Sequence, residues 1–255
     1  MRRSIGPTVA LTHDTVGTPV MIDVDDQGEI RVITLDRPDR RNAITPSGLE
    51  ALEAAVADPP GSVVYLRGAG EAFCAGADLA SVAAVAEGGD VEAFVRRGQR
   101  TADAIEDSSS VVIAGIDGPA RGGGVELAAA CDMRIASPRA TFAEPGVTFG
   151  LFGAWGGTVR LPELVGMGDA LDVSLSGRVI DSEEALRIGL VSRVVEEPRT
   201  VAEAIAENDS SALRQVKGCL RHRGSKAERE DAEVAAFEAL IEEHGDRLQE
   251  LGDQS

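Results

Sequence analysis

The chain has 255 residues and a formal net charge of −18 at pH 7, with 25 Lys and Arg residues against 43 Asp and Glu residues. This acidity argues against binding to nucleic acid or to an anionic membrane surface, and we expect neither as a partner. Hydrophobic residues make up 43% of the chain but aromatic residues only 3%, which predicts one sizeable core of aliphatic side chains.

The first half of the chain is predicted to alternate strands and helices after a flexible N-terminal arm at residues 1–18. Two β-rich runs separated by Asp25-Asp26-Gln27-Gly28 are typical of a hairpin. Thr45 followed by Pro46 is typical of a helix start. The predicted elements are strands at 19–24 and 29–35, a helix at 46–57, a strand at 62–67, a helix at 90–107 and strands at 111–116 and 133–136.

The second half becomes progressively helical. After an irregular segment at 141–157, the predicted elements are helices near 158–165, 169–175 and 181–188, a strand at 190–195, and helices at 201–208, 210–220 and 226–248. This order predicts a mostly parallel α/β core over residues 19–200 and a helical C-terminal region over residues 201–255.

A glycine-rich turn lies between the predicted strand at 111–116 and a helix predicted from about Gly123. Glycines at such a turn allow close backbone approach, and the first N–H groups of the helix have no partner within it. Glu126 lies in the first helical turn, so a carboxylate stands beside free N–H donors, as acid–base chemistry on a carbonyl compound requires. A simple flexible turn is the alternative, whereas a dinucleotide fingerprint would need Gly at the position of Leu127.

Four stretches together resemble the enoyl-CoA hydratase/isomerase (crotonase) family, in order and spacing, over about residues 19–200. They are Asp36-Arg37-Pro38 with Asn42-Ala43, then Ala72-Phe73-Cys74-Ala75-Gly76-Ala77-Asp78-Leu79, then Gly122-Gly123-Gly124-Val125-Glu126-Leu127 with Cys131-Asp132, and Gly156-Gly157-Thr158 through Ala185-Leu186-Arg187-Ile188-Gly189-Leu190-Val191. The resemblance implies an α/β fold: a crotonase-like spiral of ββα turns with a C-terminal helical lobe that forms homotrimers or hexamers.

The resemblance also implies an enzyme whose substrate is an acyl thioester of coenzyme A, with no other cofactor permanently bound. The N–H groups of Ala77 and Gly123 would hold the thioester oxygen as it becomes an enolate, and Glu126 would transfer protons. Coenzyme A would lie across the loops at 36–43 and 75–79. The implied substrate-binding residues are Arg37, Arg40, Arg41, Ala75, Asp78, Leu79, Gly122, Gly146 and Trp155.

The chain departs from the family at the second carboxylate of its hydratases, which follows a proline and is replaced here by Gly146. Glu144 is two residues away, and we expect it to be a surface residue rather than an aid to Glu126. Hydration of a 2-enoyl-CoA is the favoured reaction. Isomerisation with a single carboxylate, or acyl-CoA binding without catalysis in a regulatory protein, remain the alternatives.

The remaining polar residues indicate no other chemistry. His13, His222 and His244 lie away from every motif, so neither a metal site nor a catalytic triad is expected. Trp155 either shapes the acyl site or packs in the core. Three cysteines without metal or disulfide spacing, and no apolar run long enough for a leader or membrane span, predict a cytoplasmic protein.

Overall fold

The computed structural model describes residues 21–253. The predicted arm at 1–18 and the first two residues of the predicted first strand lie outside the described residues. The strands are β1 (Ile22–Gln27), β2 (Ile30–Leu35), β3 (Val63–Gly68), β4 (Val111–Ile116), β5 (Pro119–Arg121), β6 (Met133–Ala136), β7 (Thr141–Ala143), β8 (Ile180–Asp181) and β9 (Arg193–Val194).

The helices account for most of the remaining chain. They are α1 (Pro46–Ala57), α2 (Leu79–Ala86), α3 (Val91–Asp107), α4 (Gly123–Ala130), α5 (Gly157–Ser176), α6 (Ser182–Arg187), α7 (Arg199–Ala206), α8 (Ser210–Arg221) and α9 (Lys226–Asp253), with short 3-10 helices at Pro38–Arg40 and Pro145–Phe149. The two helices predicted at 158–165 and 169–175 form α5, which is kinked between them at Gly166 (φ 77°, ψ 160°).

Six strands form the main sheet in the order β1-β2-β3-β4-β6-β9. Only β1 runs antiparallel to its neighbour in this sheet, because it forms the predicted hairpin with β2. The mostly parallel α/β core is therefore confirmed. A second sheet, β5-β7-β8, was not predicted, because runs of two or three residues are too short to show the two-residue alternation of a strand.

The C-terminal helices are attached to the core by ion pairs at Asp132, the residue before β6. Lys217 Nζ lies 2.7 Å from Asp132 Oδ2, and Arg221 Nη2 lies 2.9 Å from Asp132 Oδ1. Lys217 also donates to the carbonyl of Ser110, at the start of β4 (2.8 Å). In the part of the chain that the structure describes, no helix combines the length and hydropathy needed to cross a bilayer.

Asn42 is fully buried and links the loop after β2 to the loop after β3. Its Nδ2 donates to the carbonyls of Ala69 (2.9 Å), Ala72 (2.7 Å) and Phe73 (3.2 Å). Its Oδ1 accepts from the backbone N–H of Arg37 (3.0 Å). Because buried carbonyls without a donor are costly, this one side chain fixes the relative position of both loops.

We expect Asn42→Ala to lower the free energy of unfolding by about 3 kcal/mol, because the mutation removes the donor for three carbonyls inside the core. Asn208→Ala is the matched control, since Asn208 is exposed and donates only to the end of α7. It should cost less than about 0.5 kcal/mol. Equal denaturant midpoints for the two variants would contradict the role of Asn42.

Candidate active site

The glycine-rich turn joins β5 to α4 and is held by the small sheet. Gly122 has φ 48° and ψ −121°, a conformation that side chains disfavour, and its N–H donates to the carbonyl of Ala143 in β7 (3.0 Å). Gly123 then begins α4, and its N–H has no hydrogen-bond partner among residues 21–253. The turn therefore presents a backbone donor at the positive end of a helix.

The second glycine-rich loop pairs with the loop after β2. Ala75 N–H donates to the carbonyl of Arg41 (2.9 Å), and Asp78 N–H donates to the carbonyl of Ile44 (2.9 Å). Between them, the Ala77 N–H makes no hydrogen bond within the described chain. The paired loops thus leave Ala77 as a second backbone donor.

Gly76 brings the two loops together. Its φ is 88°, and a β-carbon on it would lie 2.9 Å from the nitrogen of Gly123 and 2.7 Å from the carbonyl oxygen of Arg121. A side chain at this position would therefore push the loops apart. The structure brings the predicted donors Ala77 and Gly123 into neighbouring loops, as an oxyanion hole requires.

The Glu126 side chain is only 1% exposed and is held by backbone donors. Its Oε1 accepts from the N–H groups of Trp155 (2.8 Å) and Gly157 (2.7 Å). β-carbons on Gly153 or Gly157 would each come within 3 Å of this carboxylate, so the two glycines pack directly against it. Burial raises the pKa of Glu126 to about 7, although the two N–H donors and the charge of Arg160 oppose the rise.

Glu144 is 6% exposed, so the expectation that it is a surface residue is wrong. Glu144 directly follows β7, whose last residue, Ala143, accepts a hydrogen bond from the Gly122 N–H of the glycine-rich turn. The Oε1 atom of Glu144 is buried and has no hydrogen-bond partner in the described residues. Burial, and then the negative charge of Glu126, raise the pKa of Glu144 to about 8. Two buried carboxyl groups therefore influence each other beside the turn.

Gly146, at the start of the 3-10 helix after β7, has no room for a side chain. A β-carbon there would lie 2.9 Å from the Leu151 carbonyl oxygen and 3.0 Å from the Phe152 α-carbon. The backbone at residues 151–152 packs against the glycine, so a glutamate could not be placed at Gly146 without moving this segment.

Trp155 is 3% exposed, and its indole ring packs between two glycines. β-carbons on Gly98 of α3 and Gly123 of α4 would lie 2.1 Å and 2.3 Å from atoms of this ring. Of the two predicted roles, the contacts match core packing, and the ring also forms the support behind the Gly123 donor.

The predicted cationic residues have different environments. Arg37 is committed to the fold: it forms an ion pair with Asp78 (2.7 Å) and donates to the Ala43 carbonyl (3.1 Å). Asp78 in turn caps α2 by accepting from the Ser81 N–H (3.0 Å). Arg40 and Arg41 are exposed, as is Leu79 at the start of α2.

Arg121, which sequence reasoning did not single out, lies in β5 next to the glycine turn. Its guanidinium donates to the Thr141 carbonyl (2.8 Å) and the Thr141 hydroxyl (3.0 Å). Burial and the nearby charge of Arg41 lower the pKa of Arg121. The sequence signal for Arg121 was the presence of a basic residue directly before the three glycines of the turn. For Glu144, the sequence carried no such signal, because Phe142, Ala143 and Glu144 are all buried and burial does not alternate along them.

Residues 21–253 contain no cluster of three or more His, Cys, Asp or Glu side chains that could hold a metal ion. The chemistry that the site can perform with its own groups is proton transfer by Glu126 and Glu144 next to two backbone donors. This combination suits reactions that develop negative charge on a carbonyl oxygen.

The free energy of unfolding should fall as the pH rises from about 5 to about 8. Both glutamates have folded-state pKa values above the ordinary 4.5, so the folded protein binds more protons than the unfolded chain in this range. Glu144→Gln removes one of these groups, so its stability relative to wild type should increase with pH by a few kcal/mol. Denaturant titrations at a series of pH values measure this difference, and a difference independent of pH would contradict the raised pKa.

Comparison with known proteins identifies the family. A family model described as enoyl-CoA hydratase/isomerase matches residues 25–248. The short-chain-enoyl-CoA hydratase of Clostridium acetobutylicum is 35% identical over 232 residues, covering 86% of this chain and 87% of that protein. An enoyl-CoA hydratase structure from Bacillus anthracis matches with a TM-score of 0.82 at 33% identity, covering 92% and 96% of the two chains.

A structure from Thermobifida fusca, solved in complex with acetoacetyl-CoA, matches with a TM-score of 0.78 at 28% identity and covers 88% of this chain and 95% of that one. These matches confirm the crotonase-like fold that the four sequence stretches predict. The family model includes both glycine-rich loops and most of the C-terminal helices. The chain therefore belongs to the enoyl-CoA hydratase/isomerase family.

Proposed function

We propose that this protein hydrates a 2-enoyl-CoA, with Ala77 and Gly123 N–H groups as the oxyanion hole and Glu126 as an acid–base group. The observation that carries the proposal is the position of Glu126: a buried carboxylate, held by two backbone N–H groups, one helical turn from a free donor. The names of the related hydratases and the acetoacetyl-CoA bound to the Thermobifida fusca protein support the substrate class.

In the proposed reaction, water adds to the β-carbon of the conjugated thioester. Negative charge moves to the thioester oxygen, where two preorganised N–H donors are worth several kcal/mol because they need no reorientation. Burial raises the pKa of Glu126 to about 7, so its carboxylate can accept a proton from water near neutral pH.

Coenzyme A would enter as part of the substrate, and the reaction needs no permanently bound cofactor. Its anionic groups would be attracted to Arg41 and Arg121, two cationic side chains of which the first acts electrostatically on the second. Neither has a carboxylate within ion-pair distance in the described residues, in contrast to Arg37. This local positive charge would offset the net charge of −18.

Glu126→Gln should reduce the rate of 2-enoyl-CoA hydration by about a hundredfold or more, because glutamine keeps the shape but cannot accept a proton. The measurement is the loss of conjugated-thioester absorbance with crotonyl-CoA and longer 2-enoyl-CoAs. Glu207→Gln, which changes an exposed glutamate at the end of α7, is the control and should retain wild-type activity.

Three results would separate the alternatives. Equal activity of Glu126→Gln and wild type would disprove the role of Glu126. Inactivity of wild type on 2-enoyl-CoAs, with movement of the double bond in 3-enoyl-CoAs, would establish an isomerase instead. Tight acyl-CoA binding without turnover of either class would establish a non-catalytic binding protein.

A homotrimer, or a hexamer of two trimers, is the proposed assembly. Apolar side chains at one-face helical spacing remain exposed on three helices. They are Met167, Leu171 and Leu175 on α5, Val216 and Leu220 on α8, and Val234, Phe237 and Ile241 on α9. Apolar stripes of this kind are typical of protein–protein interfaces.

Phe237→Glu should shift the particle mass in light scattering towards the monomer, because the change places a charge in the proposed interface. Ala239→Glu is the matched control: it adds the same charge on the opposite face of α9, and the trimer should persist. A monomeric wild type at micromolar concentration would refute the trimer.

A cytoplasmic location is also proposed. The three cysteines are free thiols, and Cys74 and Cys131 are buried in the core. Burial raises the pKa of both thiols to about 12, so they act as inert apolar groups. This use of cysteine is typical of a reducing compartment.

A further inference from the structure

We propose that Glu144 is the second acid–base residue of this site and donates the proton to the α-carbon of the substrate, while Glu126 accepts the proton of water. This inference rests on the proposed function. It assigns the second carboxylate to a residue two positions before the one, here Gly146, where family hydratases carry it.

The backbone places Glu144 next to the glycine-rich turn. Arg121 pairs with Ala143 in the parallel β5–β7 ladder, and the Gly122 N–H donates to the Ala143 carbonyl (3.0 Å). Glu144 is therefore the residue after Ala143, whose carbonyl accepts the hydrogen bond that holds the glycine-rich turn in place. Gly146 has no side chain to supply a carboxylate, and a β-carbon there would meet the backbone of Leu151 and Phe152.

The two carboxyl groups share neighbours. Gly153 and Gly157 pack against the Glu126 carboxylate, and both also line a small cavity together with Glu144. The cavity has a volume of about 30 Å³, enough for one water molecule, and Thr158 and Ser174 are its other polar lining residues.

The hydrogen bonds favour different protonation states for the two carboxyl groups. Glu126 Oε1 accepts from two N–H donors, which stabilise the ionised form. Glu144 Oε1 is buried without a donor, which stabilises the neutral acid. The charged groups acting on the pair are the two carboxylates themselves and Arg160 of α5, which acts on Glu126. The hydrogen bonds to Glu126 and the unpaired oxygen of Glu144 thus assign the base role to Glu126 and the acid role to Glu144.

The proposed proton transfers balance. The water oxygen bonds to the β-carbon, and the water proton passes to ionised Glu126. The π electron pair moves towards the thioester oxygen, which the Ala77 and Gly123 N–H groups hold. The enolate pair then takes the proton of Glu144 at the α-carbon. Exchange with solvent returns a proton from Glu126 to Glu144, so the net change is the addition of one water.

The first measurement compares hydration by wild type, Glu144→Gln and the control Glu207→Gln across pH. Glu144→Gln should lose about a hundredfold or more in kcat and should lose the alkaline limb of the pH–rate profile, which reports loss of the acid. Its affinity for acetoacetyl-CoA should stay within about threefold of wild type, because the mutation preserves shape. A structural role would alter acetoacetyl-CoA binding and leave both limbs of the profile in place.

The second measurement separates the two glutamates without requiring hydration. Exchange of the α-hydrogen of butyryl-CoA in heavy water needs the oxyanion hole and the α-carbon acid–base residue but no attacking water. We expect exchange in wild type and Glu126→Gln, and a loss of about a hundredfold or more in Glu144→Gln.

The outcomes distinguish this inference from the proposed function. Exchange that depends on Glu144 in a protein that hydrates no 2-enoyl-CoA would support Glu144 and refute hydration. Hydration that depends on Glu126 but not on Glu144, or wild type without exchange, would overturn the role of Glu144.

Discussion

The burial of the Glu126 carboxylate is the constraint on which the site depends. An ionised carboxylate is costly to remove from water, and here two backbone N–H groups, from Trp155 and Gly157, replace part of its hydration. The replacement works because Gly153 and Gly157 carry no side chains that would separate the backbone from the carboxylate. The backbone at and just before the start of α5 thus packs closely around the Glu126 side chain of α4.

Close backbone packing also joins the two glycine-rich loops that carry the Ala77 and Gly123 donors. Gly76 allows the loop after β3 to contact the glycine turn, and Asn42 fixes that loop from the opposite side through three carbonyls. Gly76 and Asn42 therefore hold in place the segments that carry the free N–H groups of Ala77 and Gly123. Such preorganisation keeps donors in place before charge develops, which is the source of their catalytic value.

Sequence reasoning succeeded where the signal was local and failed where it depended on distant packing. The run at 111–116, the cap at Thr45 and the glycine turn show their structure in their own residues, and four motifs in order predicted the fold. Glu144 followed a short strand without detectable periodicity, and its burial depends on contacts with α5, which adjacent residues do not reveal. The network of Asn42 likewise joins residues about thirty positions apart.

The position of Trp155 has a spectroscopic consequence. The chain contains one tryptophan, and its indole packs against Gly123 in the core. Indole emission depends on local polarity and on nearby charge, and the backbone N–H of this residue donates to Glu126. All tryptophan fluorescence of the protein therefore comes from one residue, Trp155, which packs behind the glycine-rich turn. Ligand entry and ionisation at the site can be followed there without an added label.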